Sequence, residues 1–184
     1  MQRIALSLAV LAALAAPALA QDATPAAGTA AAGATAEVMD LEGKSLGTLE
    51  FSSMSDGVHI TGTLNGLPGG DHGIHIHATG DCDAAGKFET AGPHFNPTEH
   101  KHGSENPEGP HAGDLPNLPV PPEGAGVIVD LMNEGVTLGE GPKSLFDADG
   151  SAIVIHADPD DYKSDPAGNS GDRIACGVIE AAAQ

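Results

Sequence analysis

The amino-acid sequence predicts an all-β domain, an antiparallel sandwich or barrel. Three observations carry that expectation. Short apolar runs recur from Glu37 onward, and the clearest of them alternates with a period of two, as a strand with one buried face does. Turn residues such as Glu42-Gly43, Asp56-Gly57 and Pro68-Gly69-Gly70 fall between the runs. No stretch of ten or more residues in this region sustains a helical period.

Taken in order, the candidate strands begin with Glu37–Glu42 and Leu46–Ser53. Val58–Leu64 is the best patterned: Val58, Ile60, Gly62 and Leu64 alternate with His59, Thr61 and Thr63. His72–His77 follows a Pro-Gly-Gly turn. Residues two apart on a strand share a face, so Ile74 and Ile76 point one way and His75 and His77 the other. Gly126–Met132, Ser151–His156 and Arg173–Glu180 complete the set. Two segments stand outside this plan: residues 78–125, rich in Gly, Pro, Asp and His, and the polar loop 157–172. Long loops in a compact domain are usually functional or disordered. These two carry Cys82 and four of the nine histidines, which favours function.

The 184 residues suit one domain of ordinary size. With 25 glycines, 14 prolines and no Trp, turns are plentiful and the core rests on Val, Ile, Leu and Ala. A net charge of −19 argues against nucleic acid, which needs a surplus of Lys and Arg. Residues 37–184 are too interrupted by charge and glycine to span a membrane. The start of the chain differs. Arg3, an apolar run from Ile4 to Ala16 and the ending Ala18-Leu19-Ala20 read as a signal peptide, residues 1–20, cleaved after Ala20. Residues 21–36 (QDATPAAGTAAAGATA) read as a disordered Ala-rich linker, and 37–184 as the domain. Export places Cys82 and Cys176 in an oxidising compartment, where two cysteines read as one disulfide.

The histidines point to metal. An H-x-H pair on a strand presents two imidazoles on one face, although one such pair alone means little. With Ile74 and Ile76 in the core, His75 and His77 would face outward beneath the long loops. His94, His102 and His111, with Asp114 three residues on, make a plausible closed tetrahedral zinc set. His156 ends the run Ile153-Val154-Ile155 and lies within reach of the face carrying His75 and His77. An all-imidazole set suits copper. Spacing does not say which set takes which metal.

Six ordered motifs then become recognisable: Gly73-Ile-His-Ile-His77, Gly80-Asp-Cys82, Ala91-Gly-Pro-His-Phe-Asn-Pro97, Lys101-His-Gly103, His111-Ala-Gly-Asp-Leu115 and Gly171-Asp-Arg-Ile-Ala-Cys-Gly-Val-Ile179. The chain resembles the copper/zinc superoxide dismutases, most closely the exported bacterial type, over residues 37–184. The resemblance implies an eight-stranded antiparallel Greek-key β-barrel, related to the immunoglobulin sandwich, with two long functional loops. It implies one copper and one zinc per chain. Copper would be held by His75, His77, His94 and His156, and zinc by His94, His102, His111 and Asp114, with His94 bridging. Asp160 would hydrogen-bond His75 and His102, Cys82 would pair with Cys176, and Arg173 would stand beside copper.

The implied activity is dismutation of superoxide to dioxygen and hydrogen peroxide. Copper would cycle between Cu(II) and Cu(I), and His94 would carry a proton. The implied setting is the periplasm, as protection against extracytoplasmic superoxide, and the family includes homodimers. A non-catalytic copper-binding or copper-delivery module on the same scaffold is the competing reading. The presence of all seven ligands and Arg173 argues against it. A zinc hydrolase fits worse, because four protein ligands leave zinc no open position. His59 reads as a solvated side chain and His72 as a structural one, and His100 matches no role. Lys87, Lys101 and Lys163 are candidate outer charges for an anionic substrate.

Overall fold

A computed structural model describes residues 33–122 and 125–182. The expected signal peptide and residues 21–32 of the expected linker lie outside the described residues. Ten strands follow in chain order: β1 (Gly33–Asp40), β2 (Ser45–Met54), β3 (Gly57–Leu64), β4 (Gly70–His72), β5 (Ile74–His77), β6 (Leu118–Val120), β7 (Val127–Asn133), β8 (Ala152–His156), β9 (Arg173–Val178) and β10 (Glu180–Ala181). A 3-10 turn, Glu89–Ala91, sits in the first long loop. No helix among the described residues is long and apolar enough to cross a membrane.

Eight strands form one curled antiparallel sheet, ordered β5-β8-β9-β1-β2-β3-β7, with β10 continuing beside β1 past the end of β9. The all-β fold is as expected. Several boundaries differ: the expected strand Arg173–Glu180 divides into β9 and β10, and three further differences bear on the site. β1 begins at Gly33, so the last four residues of the expected linker belong to the sheet. Ala34 and Ala36 are buried there and alternate with Thr35 and Glu37, a period that small side chains make hard to read. The single run His72–His77 divides at Gly73, where the chain leaves one partner strand for another: β4 pairs with β6, and β5 with β8. β6 itself lies inside the segment read as loop. Its three residues are Leu118, Pro119 and Val120, and a proline at the centre withholds a ladder donor.

Leu49, Phe51, Ile60, Leu64, Ile74, Ile76, Ile153 and Ile155 are fully buried in the interior of the curled sheet. β8 shows how one strand serves two sides. Ile153 and Ile155 enter this core, whereas Ala152 and Val154 join a separate cluster with Phe88, Ala91 and Cys176. That second cluster lies under the first long loop. Burying Phe88 there contributes about 1.5–3 kcal/mol. A disulfide joins Cys82 to Cys176, so covalent and apolar anchors hold the loop to β9 at the same place.

Candidate metal centre

The site is built on β5 and β8, which pair with Ile74 opposite Ile155 and His75 opposite Val154. This register turns His75, His77 and His156 to the face beneath the loops. Backbone bonds then bring the loop residues in. Phe95 N–H donates to the Ile76 carbonyl, Ile76 N–H to Gly113, and Gly113 N–H back to Phe95, at 2.8, 2.9 and 2.8 Å. His94 and Asp114 are neighbours of these residues, so both come to rest against β5. A Cβ at Gly113 would strike the Ile76 carbonyl, which is why this close approach requires glycine.

Two sets of donor atoms converge, with His94 common to both. The first is His75, His77, His94 and His156, and the second His94, His102, His111 and Asp114; within each, the donor atoms lie within 4.8 Å of one another. These are the two sets expected from the resemblance. All the histidines in them are buried. Asp114 Oδ1 lies 2.9 Å from His94 Nδ1, 3.1 Å from His102 Nδ1 and 3.4 Å from His111 Nδ1.

A test of fit comes from hydrogen bonding. Five buried side-chain polar atoms among the described residues have no partner, and four of them are His75 Nδ1, His77 Nε2, His94 Nε2 and His156 Nε2. Each unsatisfied group costs about 1–3 kcal/mol when buried. Four in one place fit a metal ion, and four imidazole nitrogens suit copper. On the other side, three Nδ1 atoms and a carboxylate suit a closed tetrahedral zinc site. His94 offers one ring nitrogen to each.

The remaining ring nitrogens are oriented from behind. His75 Nε2–H and His102 Nε2–H donate to the two oxygens of Asp160, at 2.8 and 3.0 Å. His77 Nδ1–H donates to the Gly92 carbonyl at 2.8 Å, and His156 Nδ1–H to the Gly171 carbonyl at 3.3 Å. Such contacts fix the tautomer and aim the free nitrogen. Gly168, at φ 63°, lies so near that a Cβ would strike both Asp160 and His102.

The electrostatics differ from ring to ring. Burial, reinforced by repulsion from His94, lowers His77 well below its ordinary value. Burial also lowers His94 to about 4 against the pull of Asp114, and His156 to about 3 with help from His75. These rings are therefore neutral donors at pH 7. For His102, burial acts downward, but Asp114 and Asp160 outweigh it and raise the ring to about 9. The two carboxylates around this ring mark a place where the chain favours positive charge. Asp114 and Asp160 are correspondingly held below the usual carboxylate range by their histidines, despite burial.

Arg173 lies beside the all-histidine set. Between β8 and β9 the register shifts by one residue, so that His156 lies opposite Arg173 rather than Ile174. Arg173 Nη1–H donates to the Phe88 carbonyl at 2.7 Å and Nη2–H to Gly92 at 2.8 Å. The Gly92 carbonyl thus holds both Arg173 and His77. A cleft of about 460 Å³ is lined by His77, His94, His156 and Arg173, with Glu89 and Asp172 at its edge.

Several contributors have no signature in the sequence. Asn117 exchanges two bonds with the Asp160 backbone, at 2.8 and 2.9 Å, and nothing in spacing links residues 43 positions apart. His72 was expected to be structural. It is buried, with Nδ1 2.7 Å from the His156 carbonyl and Nε2 2.9 Å from Pro68. His59 lies on the outer face and pairs with Asp130 at 2.7 Å, and His100 sits 3.1 Å from the Pro110 carbonyl. The three candidate outer lysines are each matched by an acid: Lys87 by Asp172 at 3.8 Å, Lys101 by Asp165 at 3.3 Å, and Lys163 by Glu105 at 3.4 Å.

An antiparallel β-barrel carrying two adjoining histidine-rich sites that share one imidazole defines a two-metal protein. The family model for copper/zinc superoxide dismutase (SODC) matches residues 45–179. A superoxide dismutase [Cu-Zn] of Aquifex aeolicus is 50% identical over 148 residues, spanning 79% of this chain and 85% of that protein. The crystal structure of a SOD-like protein from Bacillus subtilis is 42% identical with a TM-score of 0.73, covering 78% of this chain and 96% of that one. The Cu/Zn superoxide dismutase of Brucella abortus is 27% identical with a TM-score of 0.63, covering 80% and 99%. The chain belongs to the copper/zinc superoxide dismutase family. Its activity is that of a superoxide dismutase, with copper and zinc as its metals.

Proposed function

We propose that this chain dismutes superoxide at a copper ion held by His75, His77, His94 and His156, beside a structural zinc held by His94, His102, His111 and Asp114. The observation that carries this reading is the cluster of four buried, unpartnered ring nitrogens, one of them on a histidine shared with the second set. Copper bound there supplies one-electron exchange with superoxide, while zinc supplies fixed charge without redox chemistry. The chain does the rest. Arg173 presents the cleft with a guanidinium whose position two backbone carbonyls fix, and it binds and orients the small anion. His94, tethered on the Asp114 side, directs Nε2 to the copper side; as a ligand that nitrogen carries no proton, and when it is not coordinated it would be placed to hold one and pass it to the reduced product. Asp160 couples the two sites by orienting one ring of each.

The disulfide suits an oxidising compartment, and the leader-like residues 1–20 add an address. We place the mature protein in the periplasm, where it removes extracytoplasmic superoxide, free of nucleic acid and membrane. The copper-delivery reading has no feature of its own here, because Arg173 lines the cleft as a turnover site requires.

Metal analysis tests the assignment. Native protein reconstituted with both metals should hold one copper and one zinc per chain. His156→Ala should lose copper and keep zinc, and His111→Ala should lose zinc first. Unchanged copper content in His156→Ala would overturn the ligand set.

A further inference from the structure

The mouth of the copper cleft contains an acid whose position makes little sense for an enzyme that must attract an anion. Glu89 Oε2 lies 3.7 Å from Arg173 Nη2. The guanidinium side chain is 15% exposed and the carboxylate 75%, so the acid sits on the solvent side of the cation. Its location is built in. The same 3-10 turn that presents Glu89 is flanked by Phe88 and Gly92, whose carbonyls anchor Arg173. Buried Phe88 and Ala91 pin that turn from beneath. The turn therefore fixes the backbone of Glu89 beside Arg173, and its exposed side chain meets the guanidinium from the solvent side. Lys87, two residues before Glu89, offers no compensation, since it is matched by Asp172.

We propose that Glu89 is a specificity-determining residue of the copper cleft: by sharing Arg173 it weakens the pull on all anions, and most strongly on multiply charged ones. The proposal rests on the reading of Arg173 as the group that receives the substrate anion. Coulomb repulsion grows in proportion to the charge on the visitor. At the spacing of a neighbouring side chain, one unit charge acting through water changes monoanion occupancy about threefold and dianion occupancy about tenfold. Glu89 thus gives up some attraction for a singly charged oxygen species and gains exclusion of phosphate-like dianions, which would otherwise occupy the guanidinium. It acts through Arg173 and is a positioning residue, not a catalytic one.

Two readouts separate this proposal from the function it builds on. The first needs no copper. Arg173 and Arg3 are the only arginines in the chain, so phenylglyoxal modification of Arg173 can be followed in one peptide by mass spectrometry. In zinc-only protein at pH 8, inorganic phosphate should protect Arg173 at about tenfold lower concentration in Glu89→Gln than in the native chain. Glu89→Asp, which keeps the charge, should resemble native protein. Glu50→Gln on β2, outside the cleft, makes the same change in net charge and should leave protection unaltered. The second readout uses copper-loaded protein. Low-salt kcat/KM for superoxide should rise about threefold in Glu89→Gln, and the excess should vanish as added salt screens the charge. Equal phosphate protection in native and Glu89→Gln protein, or an equal gain in Glu50→Gln, would overturn the proposal. Absence of dismutation in copper-loaded native protein would overturn the function and leave the phosphate result standing on its own.

Discussion

At the scale of single residues, Arg173 and Asp160 carry the sharpest consequences. Arg173 remains charged across the working pH range and offers several donors to a small anion. Arg173→Ala should retain copper and zinc but slow superoxide turnover about 10- to 100-fold, the worth of a charged hydrogen bond. Arg173→Glu should be slower still, because an anion would then face the substrate. Stopped-flow dismutation at matched metal loading measures both, and equal rates would remove Arg173 from the site. Asp160 orients a ring on each side. An amide in its place accepts through only one oxygen, so Asp160→Asn should weaken metal affinity about 10- to 100-fold. Competition with a chelator of known affinity reads this directly. Unchanged affinity for both metals would show that the two rings orient themselves.

Among the elements, the first long loop matters most, because it brings His94, His102, His111 and Asp114 to the edge of β5. Its attachments are the disulfide, the Phe88 cluster and the three backbone bonds around Ile76 and Gly113. The disulfide closes a separation of 94 residues, and the chain-entropy model assigns such a loop about 4–5 kcal/mol. Reduction should therefore lower the melting temperature sharply, more so after chelation of the metals. Thiol titration of denatured, unreduced protein should find no free thiol. Gly113→Val should cost about 1–3 kcal/mol by forcing the loop off β5, with loss of zinc before loss of the fold. Calorimetry with zinc analysis would show whether the two losses coincide. Much of this was legible in the sequence. The parity of His75 and His77 against Ile74 and Ile76 follows from periodicity, and the grouping of His102, His111 and Asp114 was suggested by spacing and implied by the family resemblance. The division at Gly73, the three-residue strand β6 and the start of β1 at Gly33 were not legible. Each depends on which distant strand the chain meets. Short or small-residue segments carry no pattern of their own.

For the whole molecule, the central question is how a chain of net charge −19 serves an anionic substrate. The lysines expected to guide it are each paired with an acid, so little long-range positive field is left. Attraction is confined to the interior of the cleft, at Arg173 and the metal position. Native turnover should consequently hold steady or rise as salt screens the surrounding acids, rather than fall. A steep fall with ionic strength would restore a steering role to the lysines. The most direct measurement is stopped-flow superoxide decay with the native chain loaded with copper and zinc, with zinc alone, and with both metals in Arg173→Ala. The account predicts rapid decay in the first, none above background in the second, and slowed decay at full metal content in the third. Equal decay with and without copper would contradict it.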